Sequence, residues 1–157
     1  QIVDTIFSLL GADDQQAAEL LVAEPEDSSG KRWILHIEDD EELSLGLKMR
    51  LEAYGVEVVR AFNGMAGYRT AFRYPAEAII LDMELPNGNG DYVLRRLKEN
   101  PVTRNIPVII LTGRKDRNLE RMMYNLGAAA FFNKPMEFGR LLTELRKYCP
   151  LDATAAV

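Results

Sequence analysis

From residue 33 onward the chain alternates short apolar runs with stretches whose apolar residues recur at helical spacing. WILHI precedes a helical pattern over 40–54, VEVVRA one over 63–73, EAIIL one over 90–99, IPVIIL one over 117–126, and AAFF one over 136–148. The runs are continuously apolar, as in parallel strands covered on both faces, whereas the stretches between them are amphipathic, as with Leu43, Leu47, Leu51 and Tyr54. The pattern therefore predicts five βα units in an open, doubly wound α/β sheet. Punctuation agrees: Gly55 and Gly127 stand where helices should stop, Asn63 and Asp116 where helices should start, and Pro101 just past another helix end.

Before this alternation, Ile2, Val3, Ile6, Phe7 and Leu10 fall at helical spacing, and Gly11 can stop that helix. Asp13 or Asp14 can cap a second helix holding Leu20 and Leu21. Pro, Ser, Gly and acids in EPEDSSGK, residues 24–31, read as a linker. The expected organisation is a helical N-terminal extension with an acidic linker over 1–30, an α/β domain over 31–150 and a tail over 151–157. A chain that opens on Gln reads as a fragment, so residues 1–23 are expected to be the tail of an upstream domain or a coupling segment.

Charge sharpens this division. The 157 residues carry a net −5, yet residues 1–30 hold seven acids and no Lys or Arg, leaving +2 for the remainder. A domain so near neutrality lacks the basic stripe that neutralises a phosphate backbone, so direct nucleic-acid binding is not expected. No apolar run approaches the roughly 18 residues that span a bilayer, and no signal peptide is legible, so no membrane partner and a cytoplasmic setting are expected. Cys149 is the sole cysteine and reads as a small packing residue.

Open α/β sheets bind ligands beyond the carboxyl ends of their strands. The residues there are Glu38 and Asp39 after the first run, Asp82 after the third, Thr112 after the fourth and Lys134 after the fifth; the second run contributes nothing ionisable at its end. Taken singly, each is commonplace: an Asp after a strand is usually a turn residue, acids at a helix start suit the helix dipole, and Lys before Pro is usually a surface lysine. Three converging carboxylates repel one another and call for a cation. An oxygen-only ligand set, with no Cys or His to favour zinc, selects a hard cation, and few carboxylates with open positions for water and phosphate oxygens suit Mg²⁺ better than Ca²⁺. His36, among apolar neighbours, reads as packed or hydrogen-bonded, and Met49, Met122 and Met123 as ordinary helix packing.

HIEDD, ILDMELPNGNGD, IILTG and FFNKP, in that order, resemble the four blocks of the response-regulator receiver family over about residues 33–148. The intervals are also similar: 43 residues from Asp39 to Asp82, 30 to Thr112 and 22 more to Lys134. HIEDD offers two acidic pairs; a strand end at Ile37 and the interval to Asp82 select Glu38 with Asp39, leaving Asp40 as helix N-cap.

The resemblance implies a flavodoxin-like (βα)5 sheet with strand order 2-1-3-4-5. It implies phosphorylation of Asp82, Mg²⁺ (with Mn²⁺ able to substitute) held by Glu38, Asp39, Asp82 and the Glu84 carbonyl, and phosphoryl oxygens gripped by Thr112 and Lys134. Thr112 and Phe131 would form a switch acting on the face of the fourth helix, fifth strand and fifth helix. Pro86 and Gly90 would shape the loop beyond the acceptor, and Lys134–Pro135 would be cis.

The implied partners are a sensor histidine kinase or histidine phosphotransfer protein, with output upstream or in a partner protein. A homodimer, through the switch face or the N-terminal helices, is compatible with the pattern. Glu84 and Arg114 are expected to pair across the entrance. The chain would catalyse only its own modification. Two rivals remain: a phosphatase of the haloacid-dehalogenase type, which wants an Asp where Glu84 stands, and a structural receiver-like adaptor, which would lack site residues.

Overall fold

The computed structural model describes residues 32–86 and 89–152. The helices expected within 1–23, the linker over 24–31 and the tail beyond 152 lie outside the described residues. Five strands, β1 (Trp33–Ile37), β2 (Glu57–Ala61), β3 (Ile79–Leu81), β4 (Val108–Thr112) and β5 (Ala130–Asn133), form one parallel sheet in the order β2-β1-β3-β4-β5. Helices α1 (Glu41–Glu52), α2 (Gly64–Arg73), α3 (Gly90–Glu99), α4 (Arg117–Asn125) and α5 (Phe138–Leu145) alternate with them. This is the doubly wound α/β fold that the sequence predicted.

Both faces of the sheet are covered, which is why its strands are almost wholly apolar. Successive strand residues point to opposite faces. Leu35, Ile37, Ile79, Leu81 and Ile110 enter one core with Val93, Leu94, Leu97, Leu119 and Met123 of the helices. Ile34, Ile80, Ile109 and Leu111 enter the other with Leu51, Leu141, Leu142 and Leu145. Each large aliphatic side chain fully buried here contributes roughly 1.5–3 kcal/mol by leaving water.

Side-chain caps fix where helices begin. Asp40 accepts from Leu43 N at 3.1 Å, Asn63 from Ala66 N at 2.8 Å, and Asp116 from Asn118 N at 2.9 Å. Gly55 (φ 78°) and Gly127 (φ 108°) occupy the left-handed region that lets the chain leave a helix. Pro107 has no N–H to offer the ladder, so β4 begins at Val108 rather than within IPV. Helix α5 is shorter than expected: Lys147 N and Tyr148 N bond three residues back, to Glu144 O and Leu145 O, tightening its last turn.

The methionines correct one expectation. Met123 is buried, but Met49 is 64% and Met122 43% exposed. Met49 is two residues from both Leu47 and Leu51, about 200° around the helix from each, which turns it outward. Cys149 is buried, as expected, and burial raises its thiol pKa. Among the described residues no helix is long and apolar enough to cross a membrane.

Candidate functional site

Register brings the chemistry together. Ile37 pairs with Leu81, so Glu38 and Asp82 emerge side by side one residue later; Asp82 N donates to Ile37 O at 3.1 Å. Thr112 pairs with Asn133, and Lys134 N donates to Thr112 O at 2.8 Å, which sets Lys134 next along the same edge. Carboxylate oxygens of Glu38, Asp39 and Asp82 all lie within 4.8 Å of one another. Glu38 and Asp82 are buried, whereas Asp39 is exposed.

The Lys134 ammonium is the counter-charge in this pocket. Its Nζ donates to Glu38 Oε1 at 2.6 Å and lies 3.8 Å from Asp82 Oδ1. One ammonium cannot neutralise three carboxylates. Burial pushes the Glu38 carboxyl up to about 7; the Lys134 hydrogen bond opposes the shift and the Asp82 charge adds to it. Burial also raises Asp82, against the pull of Lys134 and of hydrogen bonds from the backbone N–H groups of Glu84 and Met83. A compact, oxygen-only donor set carrying excess negative charge fits a hard divalent cation such as Mg²⁺.

The loop after Asp82 is held close by a glycine. A Cβ at position 90 would stand 2.6 Å from Asp82 O and 2.7 Å from Met83 Cα, so no larger residue fits without moving that backbone. Pro86 O accepts from Gly64 N at 3.3 Å, tying the loop to the start of α2. The Lys134–Pro135 bond is cis.

The remaining predicted residues lie around this centre. Thr112 is fully buried, and its hydroxyl accepts from Arg114 N at 3.1 Å. Phe131 is buried in the core that also holds Leu119 and Met123 of α4. The Glu84 side chain is 72% exposed, and its Oε1 lies 3.9 Å from Arg114 Nε. His36 is buried and its Nδ1 shares a 2.9 Å hydrogen bond with Ser44 Oγ, tying β1 to α1. Burial, with the charges of Lys134 and Arg60, pushes this imidazole down to about 3, so it is neutral.

One participant was missed. The expectation that the second strand brings nothing ionisable to this edge is corrected by Arg60, the penultimate residue of β2. Its Nε donates to Glu38 O at 2.9 Å and its Nη2 to Asp39 O at 2.7 Å. The residue precedes the strand end, and only its long side chain reaches the pocket's backbone.

Comparison with known proteins identifies the family. Residues 34–146 match the response regulator receiver domain. The chain is 31% identical over 118 residues to the transcriptional regulatory protein CrdR of Helicobacter pylori, covering 75% of this chain and 55% of that protein. It is 30% identical over 113 residues to the polar-differentiation response regulator DivK of Brucella anthropi, covering 71% of this chain and 92% of that one.

Of several other curated relatives it spans half the length or less. Its fold is that of the receiver domain of a sensor histidine kinase from Pseudomonas aeruginosa, solved with magnesium in its active-site cleft, at TM-score 0.69 and 24% identity over 76% of this chain and 98% of that one. With the match spanning well over half of its length, this chain belongs to the response regulator receiver domain family of two-component systems.

Proposed function

We propose that Asp82 is the phosphoacceptor of this receiver domain and that a phosphohistidine protein, a sensor kinase or a histidine phosphotransfer protein, is its donor. One observation carries the reading: a buried Asp carboxylate shares a pocket with two further carboxylates and a lysine ammonium, on one edge of a parallel sheet. An Asp oxygen would form a bond to phosphorus as the phosphorus–nitrogen bond to the donor imidazole breaks, and the donor histidine leaves. Carboxylate is a weak nucleophile, so positioning and charge neutralisation must do most of the catalytic work. Mg²⁺, or Mn²⁺ in its place, held by Glu38, Asp39 and Asp82 with the Glu84 carbonyl, supplies neutralisation of the transferring group. Lys134 supplies a second positive charge.

Phosphorylation adds oxygens that the Thr112 hydroxyl can bond in exchange for Arg114 N–H. Moving that hydroxyl alters the space under α4, and Phe131 is packed where it can respond. The readout would be a changed α4–β5–α5 surface. Phenylalanine brings no hydroxyl to this surface, so partner recognition at 131 depends on shape. In this reading residues 31–150 are the receiver and residues 1–30 an N-terminal extension, and output lies in another domain or in a partner protein.

Such a domain modifies only itself. The test is turnover: incubated with Mg²⁺ and a small phosphomonoester, the protein should release no phosphate catalytically, whereas a small phosphoramidate should label it up to one phosphoryl group per chain. Sustained hydrolysis of the ester would instead favour a phosphatase.

A further inference from the structure

We infer that Arg60 is a positioning residue for the acidic loop, fixing the orientation of the Glu38 carboxylate through the backbone. The inference rests on the reading of this pocket as a Mg²⁺-dependent phosphoacceptor site. Arg60 stands opposite His36 in the β1–β2 register, and its guanidinium forks onto two successive carbonyls, Glu38 O at 2.9 Å and Asp39 O at 2.7 Å. Both bonds are charge-assisted, and a planar fork is the group that can hold two acceptors at once.

The second bond matters most. A trans peptide is planar, with its carbonyl and its N–H on opposite sides. The peptide whose carbonyl belongs to Asp39 carries the N–H of Asp40, and that N–H donates to Glu38 Oε2 at 3.3 Å. Arg60 thus grips one end of a peptide plane whose other end holds the Glu38 carboxylate. Lys134 takes the remaining oxygen, Oε1, at 2.6 Å. Glu38 N in turn donates to Ala61 O at 2.9 Å, so the residue after Arg60 anchors the same loop. The Glu38 side chain is held from both oxygens, one of them through Arg60.

A cation this close to a metal pocket has a second, opposite effect. Its charge alone repels a divalent ion, so a purely electrostatic role would weaken Mg²⁺ binding and removal of the charge would tighten it. Positioning predicts the reverse sign. Residues that orient ligands from outside the ligand set commonly cost tenfold or more in metal affinity when lost.

The experiment is Mg²⁺ titration by calorimetry of the whole chain and of Arg60→Met and Arg60→Lys, with metal-free melting curves to verify folding and amide hydrogen exchange at Asp40. Positioning predicts roughly tenfold weaker Mg²⁺ binding in both variants, because lysine keeps the charge but not the fork, and faster exchange of the Asp40 amide without metal. Equal or tighter binding in folded Arg60→Met, or full affinity in Arg60→Lys, overturns the inference while leaving the phosphoacceptor reading intact. A wild-type chain that binds no Mg²⁺ defeats both.

Discussion

Lys134 Nζ lies 2.6 Å from Glu38 Oε1, closer than its 3.8 Å to Asp82 Oδ1, so the ammonium is bonded to the neighbouring carboxylate and stands beside Asp82. Among the described residues it is the one basic side chain in ion pairs with both buried carboxylates, Glu38 and Asp82, so no other of them stands ready to replace it on a transferring phosphoryl group. Lys134→Ala should therefore lower the rate of phosphoryl uptake from a small donor at saturating Mg²⁺ by roughly a hundredfold or more. Single-turnover labelling measures this, and a loss below about threefold would remove Lys134 from the chemistry.

Protons and Mg²⁺ should compete for this pocket. With Glu38 raised to about 7 by burial and Asp82 raised as well, part of the site is protonated at pH 6 and a bound cation must displace that proton. Apparent Mg²⁺ affinity should fall by about tenfold between pH 8 and pH 6, the factor expected for one competing proton with a pKa of about 7. A titration at the two pH values that gives equal affinities would contradict the raised carboxyls.

The same shift makes the pocket a liability without metal. A carboxyl raised in the folded state adds stability below its unfolded pKa and loses it as pH rises through the folded value. Glu38→Gln should accordingly be more stable than the parent chain at pH 8 in the presence of a chelator, by about 2 kcal/mol, with the difference gone near pH 4. His36 acts in the opposite sense: depressed to about 3, it contributes stability above its unfolded pKa that is lost as pH falls from about 6.5 toward 3. Urea midpoints of both proteins across this range separate the two groups.

Arg114 and Glu84 face each other at 3.9 Å with side chains 48% and 72% exposed, a geometry worth little to stability, and each lies two residues beyond a strand-end residue, Thr112 or Asp82. Arg114→Ala should shorten the lifetime of phospho-Asp82 severalfold by opening a path for water, with melting temperature nearly unchanged. Decay of the labelled protein at an unaltered rate would show that the pair does not shield the phosphoryl group.

The fold was legible because its two kinds of segment differ plainly in sequence. Five continuous apolar runs with amphipathic stretches between them admit few arrangements other than a parallel sheet covered on both faces, and Asp40, Asn63 and Asp116 mark helix starts by a bond each can make locally. The grouping of Glu38, Asp39, Asp82 and Lys134 was legible for a related reason: each stands within two residues of a strand end, so strand register carries them to one edge.

Arg60 was not legible, because it lies inside a strand and acts on backbone carbonyls, which every residue has. The exposure of Met49 was legible in its two-residue offset from Leu47 and Leu51, but that of Met122 was not, since an apolar side chain at the margin of a helix's stripe does not reveal which side it occupies. The limits of α5 also depended on a tightened last turn that composition does not encode.

The central claim is that one carboxylate, Asp82, accepts the phosphoryl group. Intact mass measurement after treatment with a small phosphoramidate and Mg²⁺ tests it most directly. The wild-type chain should gain the mass of a single phosphoryl group, and Asp82→Asn, although folded, should gain none. Equal labelling of Asp82→Asn, or a wild-type chain left unlabelled under conditions where it binds Mg²⁺, would contradict the account.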